Sequence, residues 1–317
     1  MTRQNMLKSL IPVTAVLSIL MISHYNYAYH GTIVRGDIRI GDLDRKYELY
    51  RPGGYSPGIN LPLVIVLHGA NASGSIIRSY SGFNDLAEQK KFMVAYPDAY
   101  GPCWNDGRVD MESTAFTFGI DDVRFISQLI DQIVSAHPVD RNRVYVAGFS
   151  NGGKMALRLG IAIPEKLAAV ATVSGLMPKQ LAQFSLRKPV PVLIMHGTSD
   201  RTVPWTGGIL KSGERNRGEV MSFVDTAFFW ARNNGCRAPA ELLVMPDADP
   251  TDGTLPFQVT YTCCNPGSEV LLVAIQGGNH SWPGIEHFLT EKKVGKTCRD
   301  INATRYIWDF FSRHKRS

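Results

Sequence analysis

The segment Gly148-Phe149-Ser150-Asn151-Gly152-Gly153 sets a serine between glycines at the spacing G-x-S-x-G. A serine hydroxyl is a weak nucleophile at neutral pH and needs a neighbouring base to become a useful one. The surroundings suit that use: an apolar run at 144–147 precedes the motif, and a helical pattern follows from Lys154. On a strand–turn–helix of this kind the serine stands on a sharp turn above the sheet edge. Glycines beside it let strand and helix approach closely. The turn also aims the backbone N–H of Asn151 at an incoming carbonyl oxygen. The chemistry this implies is acyl transfer, with Ser150 as the nucleophile.

A base and an acid should follow Ser150 in the chain, the acid first. His280, His287 and His314 all come after it. His314 sits in a basic tail and His287 in a polar stretch, whereas His280 lies in a tight loop, 277–284, just past an apolar run at 270–275. His280 is the expected base. Asp200 follows the apolar run 190–195 through His196-Gly197-Thr198-Ser199 and is the expected acid, which orients the imidazole and stabilises its protonated form. Asp249 and Asp252, in a Pro/Gly/Asp-rich loop, are distant fallbacks. Leu67-His68-Gly69-Ala70 ends an earlier apolar run, so the Ala70 N–H is expected to join that of Asn151 in an oxyanion hole. His68 and His196 are read as supporting loop residues. Trp104, Trp205 and Trp282 fall on loops after expected strands, where aromatics could line a substrate groove or simply pack.

Elements must hold these residues at one edge. Residues 32–50 alternate apolar and polar around Gly41-Asp42, the pattern of an antiparallel hairpin. Short runs apolar on both faces recur at 63–67, 92–96, 143–147, 168–173, 190–195 and 270–275, as buried parallel strands require. Helical patterns lie between or after them, at 121–135, 154–163, 218–233 and 300–314. Alternating strands and helices predict an α/β fold: a mostly parallel sheet with helices on both faces. Parallel strands end together, so the loops bearing Ser150, Asp200 and His280 should meet.

The chain has 317 residues and a formal charge of +6, without a basic run interleaved with aromatics, so nucleic acid is not an expected partner. Arg3 and Lys8 precede an apolar run at 10–22, and Tyr27-Ala28 follows. That order is a secretory signal, expected to be cleaved near Ala28, and the run is short for a membrane span. Residues 29–317 then form one secreted or periplasmic domain with no further membrane contact. Five cysteines, Cys103, Cys236, Cys263, Cys264 and Cys298, leave at least one without an intramolecular partner. They offer no spacing suited to zinc, so neither metal nor cofactor is expected.

Together these motifs, with Tyr96-Pro97-Asp98, Trp104-Asn105, Val203-Pro204, His280-Ser281-Trp282-Pro283-Gly284 and the closing 300–311 segment, resemble one family over residues 31–314. It is the secreted polyhydroxybutyrate depolymerase and feruloyl esterase family, akin to carbohydrate esterase family 1, of the α/β-hydrolase superfamily. The resemblance implies that fold, Ser150, Asp200 and His280 as the triad, and a bridge from Cys236 to the 261–264 segment, with Cys264 fitting slightly better than Cys263. It implies an ester substrate, polysaccharide-linked hydroxycinnamate or a polyester among the polymeric cases; a monomer is expected. Acetylxylan or another polyester is the alternative substrate. Asn279 stands where relatives usually have Gly, and Ala70 where many have Cys; the first puts substrate preference in doubt. A peptidase or thioesterase on the same scaffold, or a secreted binding protein that has lost catalysis, are the competing readings.

Overall fold

In the computed structural model, residues 31–56, 58–109, 114–237, 240–285 and 295–316 are described. The expected signal segment and His287 lie outside them. The hairpin forms as β1 (Thr32–Ile40) and β2 (Leu43–Arg51), turning at Gly41 with φ 58°. The apolar runs form β3 (Leu61–Leu67), β4 (Met93–Pro97), β5 (Val139–Phe149), β6 (Ala169–Val173), β7 (Val192–Gly197) and β12 (Val270–Gln276). Between β7 and β12 come β8 (Gly208–Ser212), β9 (Arg215–Val220), β10 (Ala240–Val244) and β11 (Leu255–Tyr261).

Ten strands make one sheet in the order β1-β2-β4-β3-β5-β6-β7-β12-β11-β10. From β4 to β12 the neighbours run parallel, and the flanking pairs are antiparallel. Both faces of the central strands are buried, which is why they read as unbroken apolar runs. In β3, Leu63, Ile65 and Leu67 join one core cluster while Val64 and Val66 join the other. One face is covered by α4 (Asp122–Ala136), α5 (Asn151–Ala162) and α6 (Phe223–Asn233). The other is covered by α1 (Gly74–Tyr80), α2 (Phe83–Lys90) and α7 (Ala303–Ser312); a short α3 (Thr114–Thr117) lies between β4 and α4.

One expected helix is corrected. Residues 218–233 are not a single helix: Arg215–Val220 pairs with β8 in a separate two-stranded sheet, and the helix starts only at Phe223. Ser222 fixes that start, its side chain accepting from the Asp225 N–H at 3.0 Å, and Gly218 at φ 78° has a backbone that no helix uses. Cys236 and Cys264 form a disulfide that ties the end of α6 to the chain after β11. Among the described residues no helix is long and apolar enough to cross a membrane.

Candidate active site

Strand β5 ends at Phe149 and α5 begins at Asn151, so Ser150 alone makes the turn. Its φ of 55° and ψ of −114° lie where non-glycine residues are rare, so the conformation must be imposed from outside. The Ser150 N–H donates to the Val173 carbonyl at 2.8 Å, and the Ser150 carbonyl accepts from the Lys154 N–H at 3.0 Å. Glycine is needed on both sides. A Cβ on Gly148 would lie 2.2 Å from the Gly152 carbonyl oxygen, and one on Gly152 would lie 2.2 Å from that of Leu67.

The loops after β5, β7 and β12 bring Ser150, Asp200 and His280 together. His280 Nε2 lies 2.9 Å from Ser150 Oγ, and its Nδ1 lies 2.7 Å from Asp200 Oδ2. With a carboxylate at Nδ1, that nitrogen carries the proton and Nε2 is left to accept from the hydroxyl. The other Asp200 oxygen accepts from the Thr202 and Val203 N–H groups, both at 2.8 Å. Burial alone would raise the Asp200 carboxyl, but His280, His196 and the Val203 N–H outweigh it and hold it below its ordinary value. It therefore stays ionised beside the imidazole. His280 packs against Phe149, ring centroids 5.0 Å apart, and its side chain is slightly exposed.

Ser150, Asn151, Gly69, Ala70 and His280 line one cavity of about 560 Å³. The loop bearing Ala70 is braced from below. Buried His68 donates from Nδ1 to the Gly69 carbonyl at 2.7 Å and accepts at Nε2 from the Ala99 N–H at 3.0 Å. Burial lowers its pKa, so it is a neutral brace. His196 is likewise lowered, to about 4, by burial, and donates from Nε2 to the Val203 carbonyl at 2.8 Å.

The three tryptophans do not line that cavity. Trp104 is wholly buried, its indole N–H donating to the His68 carbonyl at 2.9 Å and its backbone N–H to Asn151 Oδ1 at 2.7 Å. Trp282 is also wholly buried, bonded to Thr304 and edge-on to Phe83 and Phe149. Trp205 is half-buried and stacks on Phe223 at 4.0 Å. A loop position did not reveal that these rings point inward, where their area is worth most; Trp104 and Trp282 position the loops instead.

Sequence reasoning missed a buried ionic network beneath the elbow. Asp106 takes two contacts at 3.0 Å and one at 2.7 Å from the Arg108 guanidinium, and accepts from Asn151 Nδ2 at 2.6 Å. Arg108 also donates to the Arg217 carbonyl at 2.5 Å, so the network joins the elbow to the β8–β9 hairpin. Burial would raise Asp106, yet Arg108 and Lys154 hold it below its ordinary value. Asp-x-Arg at 106–108 was the available signal, but nothing local marks it as buried. The remaining candidates lie elsewhere. His314 pairs with Glu269 at 3.0 Å and Asp249 with Arg299 at 2.5 Å, while Asp252 accepts from the Thr254 and Arg299 N–H groups. Asp252, Cys298 and Asp300 bring possible ligand atoms within 4.8 Å of one another, but none lines the cavity at Ser150.

Residues 108–213 match the phospholipase/carboxylesterase family model of α/β hydrolases. The chain is 29% identical over 294 residues to "Putative esterase NocK" of Nocardia uniformis subsp. tsuyamanensis, covering 88% of this chain and 82% of that protein. It is 29% identical over 245 residues to feruloyl esterase B of Piromyces equi, covering 75% of this chain and less than half of that protein, 42%. Its fold matches a CE1 ferulic acid esterase from Anaeromyces mucronatus with a TM-score of 0.54 at 16% identity, over 90% of this chain and 91% of the other. The chain has the α/β-hydrolase fold, and the curated relatives it matches are named as esterases.

Proposed function

We propose that the protein is a secreted esterase of the feruloyl esterase and polyhydroxybutyrate depolymerase type, working through an acyl-enzyme on Ser150. The observation that carries this is the unbroken chain of contacts from Ser150 Oγ through His280 to Asp200 at the mouth of a cavity. His280 Nε2 takes the hydroxyl proton as Ser150 attacks the ester carbonyl. Asp200 keeps the imidazole in the tautomer that can accept it and stabilises the imidazolium. The N–H groups of Ala70 and Asn151 receive the oxyanion. His280 then gives its proton to the leaving alcohol, and water repeats the sequence on the acyl-enzyme. No metal or cofactor is called for in these steps.

Ile76, Tyr80, Phe149, Val203 and Leu210 give the cavity apolar walls suited to an aryl or short alkyl acyl group. Hydroxycinnamoyl and hydroxyalkanoyl esters are the first candidates, polymeric ones included. The signal-like residues 1–28 support secretion, and the Cys236–Cys264 disulfide suits an oxidising compartment. The test is a panel of hydroxycinnamoyl, acetyl-sugar and hydroxyalkanoate esters assayed beside Ser150→Ala. Turnover of at least one ester, lost about 10³-fold or more in that variant, is expected; full activity in Ser150→Ala contradicts the proposal.

A further inference from the structure

The cavity beside Ser150 has a second kind of wall. Arg108, Lys154, Lys211 and Arg217 all line it, and no Asp or Glu does among the described residues. Asp106 lies behind Arg108, engaged by that guanidinium and by Asn151. The wall facing the reacting ester is therefore cationic.

Lys154 is the telling residue. It is 2% exposed, yet it lines the cavity, and its Nζ makes no hydrogen bond to any described residue. Burying an ammonium without hydrogen-bond partners is costly. Burial and the Arg108 charge lower its pKa to about 7, against the pull of Asp106 and Asp200. An arriving carboxylate would supply the missing partner and restore the full charge. Lys154 also belongs to the first turn of α5, its N–H bonded to the Ser150 carbonyl at 3.0 Å, so the cation and the proposed nucleophile are rigidly linked. Arg217 enters from the β8–β9 hairpin, its guanidinium 3.7 Å from the Cys103 sulfur.

Resting on the esterase reading above, we infer that the substrate is an ester carrying a carboxylate, seated against Lys154 and Arg217 while the scissile carbonyl meets Ser150. The carboxylate belongs either to the acyl group, as in the half-ester of a diacid, or to the leaving alcohol, as in an oligomer of a hydroxyacid. Both present the same anion to the same wall.

Two matched pairs separate the sources. p-Nitrophenyl hydrogen glutarate against p-nitrophenyl hexanoate tests the acyl side, and 3-carboxyphenyl butanoate against 3-carbamoylphenyl butanoate tests the alcohol side. In one pair the anionic ester is expected to show a kcat/KM about tenfold or more above its neutral partner, the size of one charge-assisted hydrogen bond. Lys154→Met should abolish that ratio. Equal or poorer use of the anionic ester in both pairs overturns the inference, as does a ratio unchanged in Lys154→Met. Calorimetric binding of the same esters to Ser150→Ala reads the anion wall without turnover, with the same tenfold preference expected. Absence of that preference overturns the inference on its own, whereas binding preference without Ser150-dependent turnover overturns only the esterase reading.

Discussion

At the scale of single residues, the site depends on which nitrogen of His280 bears the proton. Asp200 sets this, with one oxygen on Nδ1 and the other fixed by two backbone N–H groups. Asp200→Asn is expected to fold, because an amide oxygen can still accept from the Thr202 and Val203 N–H groups. Its NH2 would then face Nδ1 and force the proton onto Nε2, which could no longer accept from Ser150. kcat should fall about 10⁴-fold, while the melting temperature stays near that of the parent; a loss below tenfold in steady-state kinetics would contradict this role. That Ser150, Asp200 and His280 would meet was legible in the sequence, because each follows an apolar run that had to be a parallel strand. Lys154 and the Asp106–Arg108 pair were not legible, because their burial is made by residues distant in sequence. Trp104 and Trp282 misled for the same reason: a loop residue's direction is decided by what the loop packs on.

At the scale of elements, the elbow works only because β3, β5 and α5 meet backbone to backbone. Gly152→Ala puts a methyl carbon 2.2 Å from the Leu67 carbonyl oxygen, and backbone cannot step aside as a side chain can. The expected cost is about 1–3 kcal/mol of overpacking strain, read as a lower denaturation midpoint, together with a fall in kcat from the displaced Ser150 and oxyanion loop. An unchanged midpoint and kcat would show that the contact has slack. The central strands were readable from their apolar runs, and the first hairpin from its alternation. The β8–β9 hairpin was not, since Arg215-Asn216-Arg217-Gly218-Glu219 lacks apolar alternation and runs on without a break into the pattern of α6. Helices α1 and α2, of seven and eight residues, are too short to show a clear period.

At the scale of the whole molecule, the C-terminal segment closes the sheet from behind. Helix α7 puts Phe310 and Phe311 into the core, and Tyr145 donates to the His314 carbonyl at 2.7 Å. Glu269, just before β12, receives both Arg313 and His314. Burial would raise its carboxyl, but those two partners pull it from an ordinary 4.5 down to about 2. A carboxyl depressed by folding stabilises the protein above its unfolded pKa and loses that contribution as pH falls through the folded one. Urea midpoints of the parent should therefore drop more steeply between pH 4.5 and pH 2 than those of Glu269→Gln; parallel pH profiles would mean the pair contributes nothing. The event proposed for this architecture, acyl transfer to Ser150, is open to direct observation. A fluorophosphonate probe should label the intact protein once, on the peptide bearing Ser150, and label neither Ser150→Ala nor protein saturated with a slowly hydrolysed ester. Labelling elsewhere, or ester turnover that survives in Ser150→Ala, would contradict the account.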